Sequence, residues 1–306
     1  MIFNIEHCTK YHYSTPVSTS LEYLRLTPIT LSNQRVLEWN LDVPGNVQTM
    51  TDGYGNVLNV ISIDKKHKDL TFKASGRVEI NGLEVLGDGG INPLLFLRNT
   101  KLTSAGEKIK DFVKPYMSDM RSITESLQDM ARSILNVIHY DKGVTDSHTC
   151  AEDAFAAGHG VCQDHTQVFI ACCRLRGIPA RYVSGYLFSD DAGHIASHAW
   201  AEAWYDGGWH TYDVSNLLFA PSRHVKVAIG LDYQEACPIR GIRTGGGAEV
   251  LDTYTQVNLL NDPPLNDEFT FVDKMDLDTK EQGGQQQQQM MFKRSFLNSM
   301  VFFNIN

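Results

Sequence analysis

The sequence predicts an all-β, sandwich-like amino-terminal domain followed by an α+β domain. Two observations predict it. Residues 1 to about 100 fall into short alternating runs with no stretch of helical period. Beyond them apolar residues recur at three- and four-residue steps, and alternation returns after Pro179.

In the first part the runs MIFNIEHCTKYHY, LEYLRLTP, RVLEWNLDVP, LNVISIDK and LTFKASGRVEI read as strands. Turn signals separate them, among them Pro44-Gly45-Asn46 and Asp52-Gly53-Tyr54-Gly55-Asn56. A spacing near ten residues suits a β-sandwich or small barrel. The segment GDGGINPLLFLRNTKLTSAG reads as a linker.

From Ser118 to His139, Met120, Ile123, Leu127, Met130, Ile134 and Ile138 mark one helix face. AEDAFAAG fits a short helix stopped by Gly158. A third helix fits Cys162 to Arg176, with an apolar stripe of Val168, Ala171, Cys172 and Leu175, and Gly177 and Pro179 just past its end. Strands follow in ARYVSGYLF, HAWAEAWY, GWHTYDV, HVKVAIG and EVLDTYTQVNLL, completing an α+β domain. The expected divisions are therefore 1–100 for the β-rich domain, 101–261 for the α+β domain and 262–306 for a tail. The tail holds NDPPLNDE and the low-complexity run QGGQQQQQ, a composition expected to be disordered. Its apolar end is short and broken by Lys293-Arg294, so it does not read as a membrane span.

A formal net charge of −9 argues against binding nucleic acid or an anionic membrane, since both need clustered Lys and Arg. Cys8, Cys150, Cys162, Cys172, Cys173 and Cys237 show no small-domain disulfide framework. The start MIFNIEHCTKYHYSTP lacks the basic and apolar regions of a signal peptide. The expectation is a reduced, cytoplasmic protein with free thiols.

The strongest local signal is GHGVCQDHTQVFIACCRLRGIPARYVSGY. Gly158 and Gly160 permit a tight turn just before Cys162, where the periodic helix begins. A thiol at a helix N-terminus feels the positive end of the dipole, which favours the thiolate. The same first-turn amides can receive an oxyanion when sulfur attacks a carbonyl. The other five cysteines read as small buried hydrophobes. Asp164, in the first turn, reads as a dipole partner and not as a catalytic group.

The second signal is ASHAWAEAWYDGGWHTYDVSN. Alternation places His198, Trp200, Glu202 and Trp204 on one strand face, with Ala199, Ala201 and Ala203 on the other. The turn Asp206 to Gly208 returns the chain in a strand ending at Asp213, at the same end of the hairpin as His198. A carboxylate there can hold one imidazole nitrogen and leave the other for a thiol. No metal site is expected: His194 and His198 straddle a loop–strand boundary, His159, Cys162 and His165 are close only in sequence, and no CxxC occurs.

The elements GVCQD with its helix and RGIPARYVSGY, then SHAW, then GGWHTYDVSN, resemble the transglutaminase-like superfamily in the bacterial branch that carries an amino-terminal β-domain. The run HVKVAIGLDYQEACPIRGIRTGGG is similar to that family's closing segment. The resemblance covers roughly residues 110 to 260, with a weaker match over 1 to 90. It implies a papain-like α+β core with a triad of Cys162 as nucleophile, His198 as base and Asp213 as the group orienting the base. This chain departs from many relatives in having Val214, not Pro, after the Asp. Animal transglutaminases use an upstream Trp on the oxyanion; here Trp39, Trp200, Trp204 and Trp209 offer none before Cys162 within the core. No acidic loop of EF-hand type suggests calcium, and no cofactor is expected. The expected reaction is hydrolysis of a peptide or protein amide through a thioester, with protein-glutamine transamidation and a non-catalytic binding module as alternatives.

Overall fold

The structure, a computed structural model, describes residues 1–83, 90–117, 121–189, 197–259 and 289–293. The amino-terminal runs become five strands: β1 (Ile2–Leu24), β2 (Gln34–Asp42), β3 (Asn46–Thr51), β4 (Val57–Ile63) and β5 (His67–Ile80). The long β1 organises them. Its first half pairs with β5, and its second half, Ser20 to Leu24, pairs with β4. The register with β5 breaks between His12 and Val17, around Pro16, which has no N–H to give a ladder. The sheet bends there, so Tyr11, Tyr13, Val17, Leu24, Ile61, Leu70 and Phe72 meet in one core.

The α+β part begins earlier than its periodicity suggested. Helix α1 (Glu107–Met117) follows directly on the stretch read as a linker. Ile109, Phe112, Val113 and Tyr116 supply its packed face, and Pro115 in its last turn obscures the pattern. Helix α2 (Ile123–Val137) starts at a capping box in which Ser122 and Glu125 satisfy each other's backbone N–H. Met120, placed on this helix face by the sequence, lies outside the described residues. Leu127, Met130, Ile134 and Ile138 are fully buried as expected.

A two-residue bridge, β6 (His139–Tyr140), runs parallel to β7 (His159–Gly160), with α3 (Ala151–Ala157) between them. Helix α4 (Cys162–Leu175) then enters the middle of the molecule, and every residue from Cys162 to Arg174 is buried. At its far end the Arg174 guanidinium donates to the carbonyls of Phe96, Ala180 and Leu231 and to Thr103 Oγ1. The helix packs on a four-stranded antiparallel sheet ordered β10-β9-β8-β11. Its members are β8 (Ala180–Leu187), β9 (Ser197–Tyr205), β10 (Gly208–Tyr212) and β11 (His224–Gly230). Ala199, Ala201 and Ala203 form the β9 face toward α4, where small side chains let helix and sheet approach closely.

The short helix α5 (Tyr233–Ala236) precedes the last strands. Here the structure corrects the sequence grouping. Strands β12 (Ile239–Gly245) and β13 (Glu249–Leu259) pair with β1, so they belong to the amino-terminal sheet and not to the sheet under α4. Sheet membership is set by long-range pairing, to which local alternation is blind. In the tail, Gln289–Lys293 form β14, parallel to β12; the other residues beyond 259, and so most of the expected low-complexity tail, lie outside the described residues. The two parts share an interface where Phe3, Ile5, Val78 and Val257 meet Tyr186, Val225 and Val227. None of the six cysteines is joined in a disulfide. Among the described residues no helix is long and apolar enough to cross a membrane.

Candidate active site

Cys162 is the first residue of α4 and is buried, with 4% of its surface exposed. The approach to it is tight. A Cβ on Gly160 would come within 2.7 Å of the Asp164 side chain, so only glycine fits there. Asp164 accepts hydrogen bonds from the Val161 N–H at 2.8 Å and from Thr145 Oγ1 at 2.7 Å. Burial pushes its carboxyl up to about 6, against those two donors. Its part is to close the helix start, in line with the dipole reading.

The β9–β10 hairpin turns through Asp206 and Gly207, both at positive φ, the two-residue turn that matches strand twist. Tyr212 pairs with Ala201, which sets Asp213 at the strand end one step beyond. His198 Nε2 donates to Asp213 Oδ2 at 2.8 Å. The imidazole also shares a side-chain hydrogen bond with Cys162, so all three residues picked from the sequence meet. With Nε2 given to the carboxylate, Nδ1 is the nitrogen left for sulfur.

Electrostatics favour the charged imidazole. Burial pulls the His198 imidazolium down, but the Asp213 carboxylate and the Cys162 thiol outweigh it and carry its pKa well up from the ordinary value. Asp213 is fully buried, which alone would push its carboxyl up. The imidazoles of His198 and His224 reverse that and hold it far below the usual carboxylate range.

Two residues at the site were not picked out from the sequence. His224, at the start of β11, is buried and donates from Nε2 to the same Asp213 oxygen at 3.1 Å. Asn216 donates from its backbone N–H to Asp213 Oδ1 at 3.2 Å and from Nδ2 to Oδ2 at 2.9 Å. The turn after Asp213 explains Asn216. Asp213 and Leu218 exchange backbone hydrogen bonds, Leu217 sits at positive φ, and the chain folds back onto the carboxylate with Val214 buried beneath. The DVSN string was visible, but only the returned turn shows what its Asn does. His224 had no local signal, because β11 approaches the hairpin through β8.

His198, Asp213 and His224 have donor atoms all within 4.8 Å of one another, the one such cluster among the described residues able to hold a metal. Asp213 Oδ2 is already shared by both imidazoles and Asn216, so the hydrogen bonds account for the grouping. His165 is turned away, donating from Nε2 to Ile138 O and bonding Ser215 Oγ through Nδ1, and His159 lies near Asp141 at 3.6 Å. His194 lies outside the described residues.

Comparison with known proteins agrees with this architecture. Residues 110–214 match the transglutaminase-like superfamily, and residues 3–79 match the bacterial transglutaminase-like N-terminal region. The chain carries a transglutaminase-like core preceded by the bacterial transglutaminase-like N-terminal region. Two mycobacterial relatives are described as uncharacterized proteins. One, from Mycobacterium leprae strain TN, is 29% identical over 286 residues, spanning 84% of this chain and 98% of its own. The other, from Mycobacterium tuberculosis strain H37Rv, is 28% identical over 288 residues, spanning 83% and 92%. Among solved structures, a candidate cysteine protease from Cytophaga hutchinsonii superposes with a TM-score of 0.71. It shares 22% identity and covers 88% of this chain and 92% of its own, a likeness of fold.

Proposed function

We propose that this transglutaminase-like protein is a cysteine-dependent acyl-transfer enzyme that hydrolyses peptide or protein amides. The observation that carries the reading is His198 held between Asp213 at 2.8 Å and the Cys162 thiol at the start of α4. A structural cysteine needs neither a base nor a carboxylate behind that base.

The thiol proton passes to His198 Nδ1, and Asp213 holds the resulting imidazolium in place through Nε2. Sulfur attacks the amide carbonyl, and the first-turn amides of α4 receive the oxyanion. The tetrahedral species collapses, His198 gives its proton to the departing amine, and Cys162 keeps the acyl group as a thioester. Water, deprotonated by His198, then releases the acid and restores the thiol. An amine in place of water would give transamidation, which also needs a water-excluding path for the acceptor.

Iodoacetamide labelling near pH 6, read by mass spectrometry on the intact fold, tests the nucleophile. Burial pushes the thiols of Cys8 and Cys172 up and that of Cys173 up to about 12. Cys162 is expected to label first, and His198→Ala to remove that lead. Equal labelling of all six thiols would sink the reading. A glutamine peptide offered with a fluorescent amine separates the two fates of the thioester: amine incorporation faster than hydrolysis would replace hydrolase with transamidase.

A further inference from the structure

We infer that His224 is a positioning residue: its Nε2–H, reaching Asp213 from β11, fixes the carboxylate that orients His198. The inference rests on the acyl-transfer reading above and adds a residue behind its carboxylate.

Long-range pairing alone places His224. It opens β11 opposite Leu187 of β8, and the backbone is locked on either side of it. Phe188 N–H donates to Arg223 O at 2.9 Å. The Gln34 amide, from the amino-terminal sheet, bonds both backbone groups of Lys226 at 2.7 Å each. His224 is 3% exposed, and its ring centroid lies 4.8 Å from that of Trp200. Trp200 also stacks with His198 at 6.2 Å, so one indole braces both imidazoles.

The hydrogen-bond pattern gives the His224 ring one task. Its Nδ1 is buried and meets no hydrogen-bonding group, so a hydrogen there would be left unpaired. The hydrogen sits on Nε2, where Asp213 Oδ2 accepts it at 3.1 Å. The same oxygen accepts from His198 Nε2 at 2.8 Å and from Asn216 Nδ2 at 2.9 Å. Asn216 is exposed on a turn, whereas His224 is buried and carried by a strand. It is thus the rigid member of the pair that backs the carboxylate. Gripped from three directions, Asp213 is held against rotation about its Cβ–Cγ bond and presents the same oxygen to His198 in every turnover. Because the Nε2–H of His224 is given to Asp213, it acts on His198 through that carboxylate.

With the carboxylate fixed, the His198 ring keeps Nδ1 toward Cys162 and takes the thiol proton at neutral pH. Without the His224 N–H, Oδ2 turns on its remaining donors and the His198 ring follows it. The sulfur then lacks its base for part of the time. The loss belongs to neutral pH and vanishes in alkali, where a thiol ionises unaided.

Iodoacetamide alkylation of Cys162 in the full chain, followed by mass spectrometry at pH 7 and pH 10, tests this. His224→Phe keeps a ring against Trp200 and removes the donor, whereas His224→Gln offers an amide N–H at a similar reach. His224→Phe is expected to slow alkylation about tenfold at pH 7, the effect of one unit in the ionisation of a thiol, and to match wild type at pH 10. His224→Gln is expected to recover most of the pH 7 rate. An unchanged rate in His224→Phe would overturn the assignment, and so would a His224→Gln protein that is equally slow. A deficit of the same size at both pH values would also overturn it, since that marks a damaged fold and not a displaced base. If His224→Phe does not fold, His224→Gln decides alone: a pH 7 rate near wild type supports the donor role, and a loss of about tenfold ends it. A wild-type Cys162 that reacts no faster than the other five thiols would instead bring down the acyl-transfer reading beneath it.

Discussion

At the scale of single residues, the site is an arrangement of charge around a fully buried carboxylate. Asp213 receives two imidazole N–H groups and two donors from Asn216. Such a carboxylate stays ionised and keeps His198 protonated beyond the ordinary histidine range. The sign of the resulting pH dependence follows. In the proposed mechanism the reactive state needs the imidazolium, and a raised His198 pKa keeps that state present through neutral pH and loses it only on the alkaline side. Asp213→Asn removes the largest influence raising it, so the alkaline limb of kcat/KM is expected to move to lower pH with a fall in rate. A pH–rate profile of both proteins measures this. An alkaline limb that stays in place would detach Asp213 from the titration of His198. Cys162, His198 and Asp213 were legible from local sequence, because a glycine-preceded helix start and a two-residue hairpin each fix geometry within about twenty residues. His224 was not, since it reaches the site from another element.

The elements show why the thiol is placed reproducibly. Helix α4 has Val161 at its N-cap, with no side-chain oxygen of its own, and Asp164 reaches back to bond the Val161 N–H. Thr145 holds the same carboxylate from the preceding loop. Asp164→Ala should therefore lower stability by about 1 kcal/mol, the typical cost of a lost cap, read as a lower urea midpoint with an unchanged slope. A neutral effect would show that the glycine turn alone sets the helix start. Within the sheet, Gly185 stands opposite His198, and a Cβ there would meet Val225 O at 2.1 Å and the Trp200 ring at 2.7 Å. That glycine lets β11, and with it His224, come close to the triad. The sequence pattern RYVSGY identified the strand but not what crosses it. Helix α1 was missed for a related reason, since Pro115 masks a periodicity that packing against α4 sustains.

Across the whole molecule, the sheet beneath the site is joined to the amino-terminal sheet by polar as well as apolar contacts. The Gln34 amide pairs both backbone groups of Lys226, at 2.7 Å each, and the Asn56 amide does the same for Ile229 at 2.8 Å. These side chains satisfy the outer edge of β11 as a neighbouring strand would. Beside them lies a buried ion group. Glu202 contacts Arg181 and Lys226, each at 2.6 Å, and the Arg181 guanidinium stacks 3.9 Å from the Trp209 ring. Burial would raise the Glu202 carboxyl, but the two cations lower it to about 2. A depressed carboxyl contributes stability that is present above its unfolded value, near 4.5, and lost as pH falls toward 2. Glu202→Gln leaves two buried cations short of their counter-charge and is expected to cost about 3–5 kcal/mol. Thermal melts at pH 7 and pH 3 check it: a deficit at pH 7 that narrows at pH 3 is the expected result, and equal melting temperatures at pH 7 would refute it.

The sequence by itself picked out Cys162, His198 and Asp213 as residues that would meet, along with the order of a β-rich part before an α+β part, because helix starts, tight turns and strand alternation are local. Only the tertiary structure decided that β12 and β13 return to β1 and that His224 and Asn216 share Asp213. Those are contacts between segments far apart in the chain or brought back by a turn, and pairing and packing, not periodicity, select them.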